Sequence, residues 1–363
     1  MKVPLNQPSR ALENMRSEIE VAFERVLSSG WFVLGPENDA LSEELSSFLG
    51  TPNTVLVGNG TDAIEIALVA IGVPPGSSVL TVANAGGYSS TAIRQVGAIP
   101  VYVDIDPISL QMSVDSLEDV LAGLSTVPSA IIVTHLFGYS APVEAICTLA
   151  KRYEIPVVED CAQSLGAIVS GRRLGTFGHI ATTSFYPTKN LGALGDGGAI
   201  FTANTDYANR ARSLRQYGWT EKYRTGFAGG RNSRLDELQA AVLRVRLPLL
   251  DGFNKSRRRI HSLYRGVDSE LGKFPHASGE NFVAHLGVMI TDDRGHVRSE
   301  FAARNIETDI HYPVPDHLQT AYRDSSTQSL LATEGMAGRI LTVPLFSEMS
   351  DDEVEQVMET LRG

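Results

Sequence analysis

Apolar residues recur at helical spacing over residues 12–27 and again over about 37–48, so each stretch is predicted to be an amphipathic helix. Between them Gly30-Trp31-Phe32-Val33-Leu34-Gly35-Pro36 breaks the period. Short apolar runs at 54–57, 78–82, 101–103, 130–134 and 156–158 read as strands. They alternate with helical patterns at 62–71, 90–96, 116–121 and 142–153. Such alternation predicts an α/β fold with a mainly parallel sheet, because parallel strands need helical crossovers that cover both faces. Beyond Pro156 the rhythm changes. Two strand-like runs, 180–186 and 198–202, flank a loop carrying Pro187, Lys189 and several glycines. A periodic stretch from 235 to about 264 forms one helix or two, with Pro248 marking a kink or a boundary. The expected organisation is an extended arm over 1–12, a large domain over 13–247 and a small α+β domain over 248–363, ending in a helix at 351–361.

Composition narrows the function classes. With 43% hydrophobic residues the chain has ample material for a core, and its formal charge of −11 disfavours a nucleic-acid partner. Residues 1–10 contain no apolar signal core, and no stretch has the roughly 20 apolar residues that span a bilayer. A soluble cytoplasmic protein without a membrane partner is expected. Cys147 and Cys161 lack metal-ligand or redox spacing, so buried free thiols and no metal site are expected. The basic clusters Arg172-Arg173 and Lys255-Ser256-Arg257-Arg258-Arg259 are expected to be solvated faces.

Three segments carry candidate chemistry. Val57-Gly58-Asn59-Gly60-Thr61-Asp62-Ala63 follows a strand; its glycines permit a tight turn, and Thr61 is a candidate cap for a helix whose first amides face an anion. The plainer alternative is an ordinary strand–helix turn. In Val157-Val158-Glu159-Asp160, two acids end an apolar strand, where open α/β sheets bind their ligands. A carboxylate there can hold a cation or a protonated heterocyclic nitrogen, or merely cap a helix. Ser184-Phe185-Tyr186-Pro187-Thr188-Lys189-Asn190-Leu191-Gly192 places a lysine between apolar strands. Desolvation would make its amine a usable nucleophile; a solvated turn lysine is the alternative. An amine, an acid and an anion cradle together are what pyridoxal phosphate chemistry requires.

In their order, these segments and Asn232-Ser233-Arg234-Leu235-Asp236-Glu237-Leu238-Gln239-Ala240-Ala241 resemble the DegT/DnrJ/EryC1/StrS family of sugar aminotransferases. The resemblance runs from Trp31 to the C-terminal helix and implies aminotransferase fold type I. It implies that Lys189 is the Schiff-base lysine and general acid/base, and that Asp160 pairs with the pyridine nitrogen. Gln163 would donate near the ring oxygen of the cofactor. Gly60, Thr61, Asp62 and Ser184 would hold the phosphate, joined by Asn232 from the other subunit of a homodimer. For Asn232 a helix N-cap is the structural alternative. Pyridoxal 5'-phosphate would alternate with pyridoxamine 5'-phosphate as L-glutamate gives its amino group to a keto-sugar on a nucleotide. Family members with histidine in place of the lysine are dehydratases; here the residue is Lys189.

The string around Ile310-His311-Tyr312-Pro313 is most similar to the subgroup acting at C3 of dTDP-3-keto-6-deoxyhexoses, giving a 3-amino-3,6-dideoxyhexose. Trp31, His311, Tyr312 and His317 are candidate sugar contacts. Amination at C4, and a catalytically silent regulatory relative, are the alternatives. One departure stands out: Gly86 occupies the place where the family usually has an aromatic residue over the cofactor ring. Tyr88 either supplies that ring or packs in the following helix.

Overall fold

The computed structural model describes residues 1–277, 279–325 and 329–363. Its first helices are α1 (Pro8–Glu13), α2 (Arg16–Ser29) and α3 (Pro36–Leu49). The expected arm is therefore partly helical. Val3 is fully buried and bridges to Ile306, so the first residues lie against the C-terminal part of the chain.

The central sheet alternates with helices: β1 (Asn53–Val57), α4 (Gly60–Ile71), β2 (Ser78–Val82), α5 (Tyr88–Gln95), β3 (Ile99–Val103), α6 (Val114–Gly123), β4 (Ala130–Thr134), α7 (Val143–Arg152) and β5 (Val157–Asp160). After a small hairpin, β6 (Ile168–Val169) with β7 (Arg172–Arg173), come β8 (Ile180–Ser184) and β9 (Gly198–Thr202). Seven strands pair in the order β1-β9-β8-β5-β4-β2-β3, and only β9 runs antiparallel to its neighbours. Alternation along the strands sends side chains to two cores. Leu80 and Ile131 pack with Leu117 and Ile146 on one face. Val79, Ile132 and Val158 pack with Ile64, Leu68 and Ala211 on the other. Burial on both faces explains why these strands read as continuous apolar runs rather than alternating ones.

The rest comprises α8 (Thr205–Leu214), the hairpin of β10 (Trp219–Glu221) with β11 (Arg224–Thr225), then α9 (Glu237–Arg246) and α10 (Leu250–Arg265). A single 3-10 turn at Leu247–Leu249 separates the last two helices, so Pro248 does interrupt the long period. The C-terminal part pairs β12 (Gly287–Ile290) with β13 (Ile340–Val343), flanked by α11 (Arg294–Ala303), α12 (Leu331–Ala337) and α13 (Asp351–Arg362). Helix α13 starts with a reciprocal Ser350–Glu353 capping box.

The basic run in α10 is not a solvated face throughout. Arg257 is buried, donating to the carbonyls of His285 and Leu345, while Arg258 reaches the Phe282 carbonyl and Arg259 pairs with Asp351. The helix turns Arg257 inward, where buried carbonyls need donors. Cys161 is buried and Cys147 half-buried; both are free thiols.

Candidate active site

At the carboxyl ends of β1, β5 and β8 opens a cavity of about 470 Å³, bordered by Gly60, Thr61, Tyr88, Asp160, Gln163, Ser184, Lys189, His285, His311 and Tyr312 among others. Nine of the residues singled out from the sequence therefore meet in one place: Gly60, Thr61, Tyr88, Asp160, Gln163, Ser184, Lys189 and, from the C-terminal part of the chain, the His311-Tyr312 pair.

Strand geometry assigns the two adjacent acids different jobs. Successive side chains of β5 point to opposite faces. Asp160 borders the cavity, with one carboxylate oxygen accepting from the Ala162 amide at 3.0 Å. Glu159 points the other way, accepting from the amides of Gly175, Phe177 and Gly178 at 2.7–2.9 Å and contacting His135 Nε2 at 3.2 Å. Burial would raise the Glu159 carboxyl, but His135 and these amides hold it below its ordinary value. Burial pushes the Asp160 carboxyl up, while the Ala162 amide and the Lys189 ammonium pull it back.

Lys189 lies in the loop after β8, where its amide bonds the Tyr186 carbonyl at 2.8 Å. Protein surrounds the amine, although the side chain keeps a surface toward the cavity. Desolvation lowers its pKa to about 8 against the opposing pull of Asp160. A positive charge here is stabilised by little except Asp160, which is the condition for a nucleophilic amine.

The cradle is built by α4. Asn59, not Thr61, is the N-cap: its backbone is extended and its Oδ1 accepts from Asp62 N at 2.8 Å. Thr61 falls one place too late, inside the first turn. The Asp62 amide is thereby spent on the cap, and its carboxylate lies 3.6 Å from Arg231. What remains for an anion are the first-turn amides of Gly60 and Thr61, the Thr61 hydroxyl and Ser184 Oγ. Gly60 must be glycine here, since a Cβ would sit 2.7 Å from Ser184 Cβ.

Gln163 is fixed at both ends, accepting from Phe137 N at 2.7 Å and donating to Tyr312 Oη at 3.1 Å. The Tyr312 ring occupies the space above Gly86, where a Cβ would come within 2.8 Å of it. Tyr88 opens α5 at the cavity rim, half exposed and edge-on to Tyr312 with centroids 6.0 Å apart. The gap left by Gly86 is thus filled from the C-terminal part of the chain.

Three candidates lie elsewhere in this protomer. Trp31 is exposed and bonds the Val33 carbonyl through Nε1. His317 is buried against Glu334, at 3.0 Å, and does not border the cavity. Asn232 is exposed, pairs through its backbone with Gln216, and does not cap the helix; Asp236 holds the N-cap position of α9. Sequence reasoning missed His285, which reaches the site from a segment with no local motif.

A family model described as the DegT/DnrJ/EryC1/StrS aminotransferase family matches residues 13–362. The chain belongs to that family. It is 39% identical over 352 residues to the dTDP-3-amino-3,6-dideoxy-alpha-D-galactopyranose transaminase of Aneurinibacillus thermoaerophilus, covering 96% of each protein. The fold superposes on the crystal structure of S. venezuelae DesV in complex with a ketimine intermediate, with TM-score 0.94, 36% identity, and 99% and 98% of the two chains covered. NtdA from Bacillus subtilis, crystallised with bound cofactor PMP, gives a TM-score of 0.92 at 29% identity, covering 99% of this chain and 84% of that one. This DegT-family aminotransferase therefore has fold type I, the fold expected from its sequence. The family depends on pyridoxal phosphate, and the unspent groups of the cavity fit that cofactor: an amine, a buried carboxylate and a set of anion donors, each with bonding capacity left.

Proposed function

We propose that this protein is a pyridoxal phosphate-dependent nucleotide-sugar aminotransferase, moving the amino group of L-glutamate to the C3 ketone of a dTDP-3-keto-6-deoxyhexose. The observation that carries the reading is the convergence of Lys189, Asp160 and the α4 cradle in one cavity. Gly60, Thr61 and Ser184 would hold the phosphate, Asp160 the ring nitrogen, Gln163 the ring oxygen, and Lys189 the aldehyde carbon. When bound, the cofactor supplies an electron-withdrawing ring and a carbon that stores the amino group between the two half-reactions.

The chain's own residues do the rest. Lys189 Nζ, with its lowered proton affinity, takes the proton from Cα of L-glutamate in the first half-reaction. In the second it delivers a proton to C3 of the sugar. Asp160, ionised beside a cation, keeps the ring nitrogen protonated. The Tyr312 and Tyr88 rings narrow the cavity mouth and limit water. We assign the working form to a homodimer in the cytoplasm, with Asn232 of each protomer completing the partner's phosphate site. In support, Asn232 and Trp31 are exposed and lie outside their own protomer's cavity.

The C3 assignment follows the similarity to the dTDP-3-amino-sugar transaminase. Incubation with L-glutamate and a panel of dTDP- and UDP-linked 3-keto- and 4-keto-sugars, followed by NMR of the product, tests it. A 3-amino sugar formed with stoichiometric 2-oxoglutarate is expected. A 4-amino product overturns the regiochemistry.

A further inference from the structure

His285 has no part in the scheme above, yet it borders the same cavity as Lys189 and is almost fully buried. Its segment is held on three sides. Val283 N donates to the Gly138 carbonyl at 2.9 Å, Leu286 N to the Phe137 carbonyl at 3.2 Å, and Arg257 Nη1 to the His285 carbonyl at 3.2 Å. The imidazole cannot drift from the wall.

The neighbouring hydrogen bonds fix its tautomer. Asn254 Nδ2 donates to the Leu165 carbonyl, which leaves Asn254 Oδ1 as an acceptor. Asn190 Nδ2 fills that acceptor at 2.7 Å and also bonds the Val283 carbonyl at 3.1 Å. Both amide hydrogens are then used, so Asn190 Oδ1 is the end that meets His285 Nδ1 at 2.8 Å. An oxygen cannot donate there; Nδ1 carries the hydrogen, and Nε2 is left with a lone pair. That nitrogen has no partner among the described residues, and it is not among the sealed, unpaired polar atoms of the interior. Burial, together with the charges of Lys189 and Arg257, holds the imidazole neutral. The wall beside Lys189 thus offers a rigid acceptor that no proton occupies.

We propose that His285 is a specificity-determining residue whose Nε2 accepts a hydrogen bond from a hydroxyl on the sugar carbon next to the one being aminated. The assignment rests on the keto-sugar reading. For Lys189 to pass a proton at the ketone carbon, that carbon must enter the cavity beside Nζ, which brings the neighbouring hydroxyls to the same wall. L-Glutamate has no hydroxyl and makes no such demand, so the two half-reactions separate the role from general damage.

Two substitutions divide the imidazole. His285→Asn keeps a donor near the Nδ1 position, and hence the tie to Asn190, but withdraws the Nε2 acceptor. His285→Gln places a carbonyl oxygen near the Nε2 position. Each half-reaction is followed separately by the absorbance of the cofactor, using the 3-keto acceptor and its analogues lacking the 2- or the 4-hydroxyl. For His285→Asn the second half-reaction should fall about tenfold or more beyond any fall in the first, as expected for a buried hydrogen-bond partner lost. With one of the two deoxy analogues that excess should vanish, and His285→Gln should recover most of it. Equal losses in both half-reactions, or the same excess with every acceptor, overturn the assignment. So does the opposite ranking, Asn tolerated and Gln damaging, which a purely structural tie to Asn190 would give. If the parent enzyme aminates no keto-sugar of the panel, the acceptor reading fails first and this assignment falls with it.

Discussion

A lysine amine attacks a carbonyl only after losing its proton, and at position 189 burial supplies that condition. With a pKa of about 8, roughly one amine in ten is neutral at pH 7, against about one in three thousand at the ordinary lysine value. Asp160 works against this and sets its limit, since a closer carboxylate would hold the ammonium charged. Competitive acetylation of the cofactor-free protein with trace acetic anhydride, read by peptide mass across pH, should give Lys189 a midpoint near 8. A midpoint above 10 would mean that the amine is solvated. Lys189 and Asp160 stood out in the sequence as charged groups beside apolar strands, and the structure brings both to one cavity, while the roles expected of them came from the family resemblance. His285 did not stand out. Its partner Asn190 is 95 positions away, and nothing in the local sequence announces that the two meet.

Element boundaries were legible where burial is two-sided. Ser78–Val82, Ala130–Thr134 and Gly198–Thr202 match the apolar runs residue for residue. The start of α4 was misread by two positions because asparagine and threonine are both good N-caps; only the extended backbone of Asn59 decides between them. Arg257 was misread because a basic cluster shows no helical phase, and in α10 its central residue faces buried carbonyls. The α4 cradle also makes a prediction at this scale. A methyl group at Gly60 would push the first turn off Ser184. Gly60→Ala should therefore weaken cofactor binding by about 1.5–3 kcal/mol, roughly tenfold to a hundredfold, through a lengthened charge-assisted bond. A spectroscopic titration checks it, and unchanged affinity would remove α4 from the phosphate site.

At the scale of the whole molecule, the cavity is lined from two directions, by the central sheet and by the C-terminal part of the chain. Asp160, Ser184 and the α4 turn come from the sheet, and Tyr312 and His285 come from the C-terminal part. Asn232 remains outside, as a residue serving a twofold partner would. Asn232→Ala should weaken cofactor binding by about 1.5–3 kcal/mol. Mixed with Lys189→Ala under subunit exchange, it should regain activity at limiting cofactor, because in the proposed homodimer one of the two composite sites would then carry neither defect. Failure to regain activity, with exchange verified by mass, would assign Asn232 to its own subunit. The proposed chemistry turns on Lys189. Borohydride reduction of the cofactor-loaded enzyme, followed by peptide mapping, should find the cofactor's mass on Lys189 alone, and Lys189→Ala should bind the cofactor without yielding any reduced adduct. An adduct on another lysine of the parent enzyme, or substantial turnover by Lys189→Ala, would contradict it.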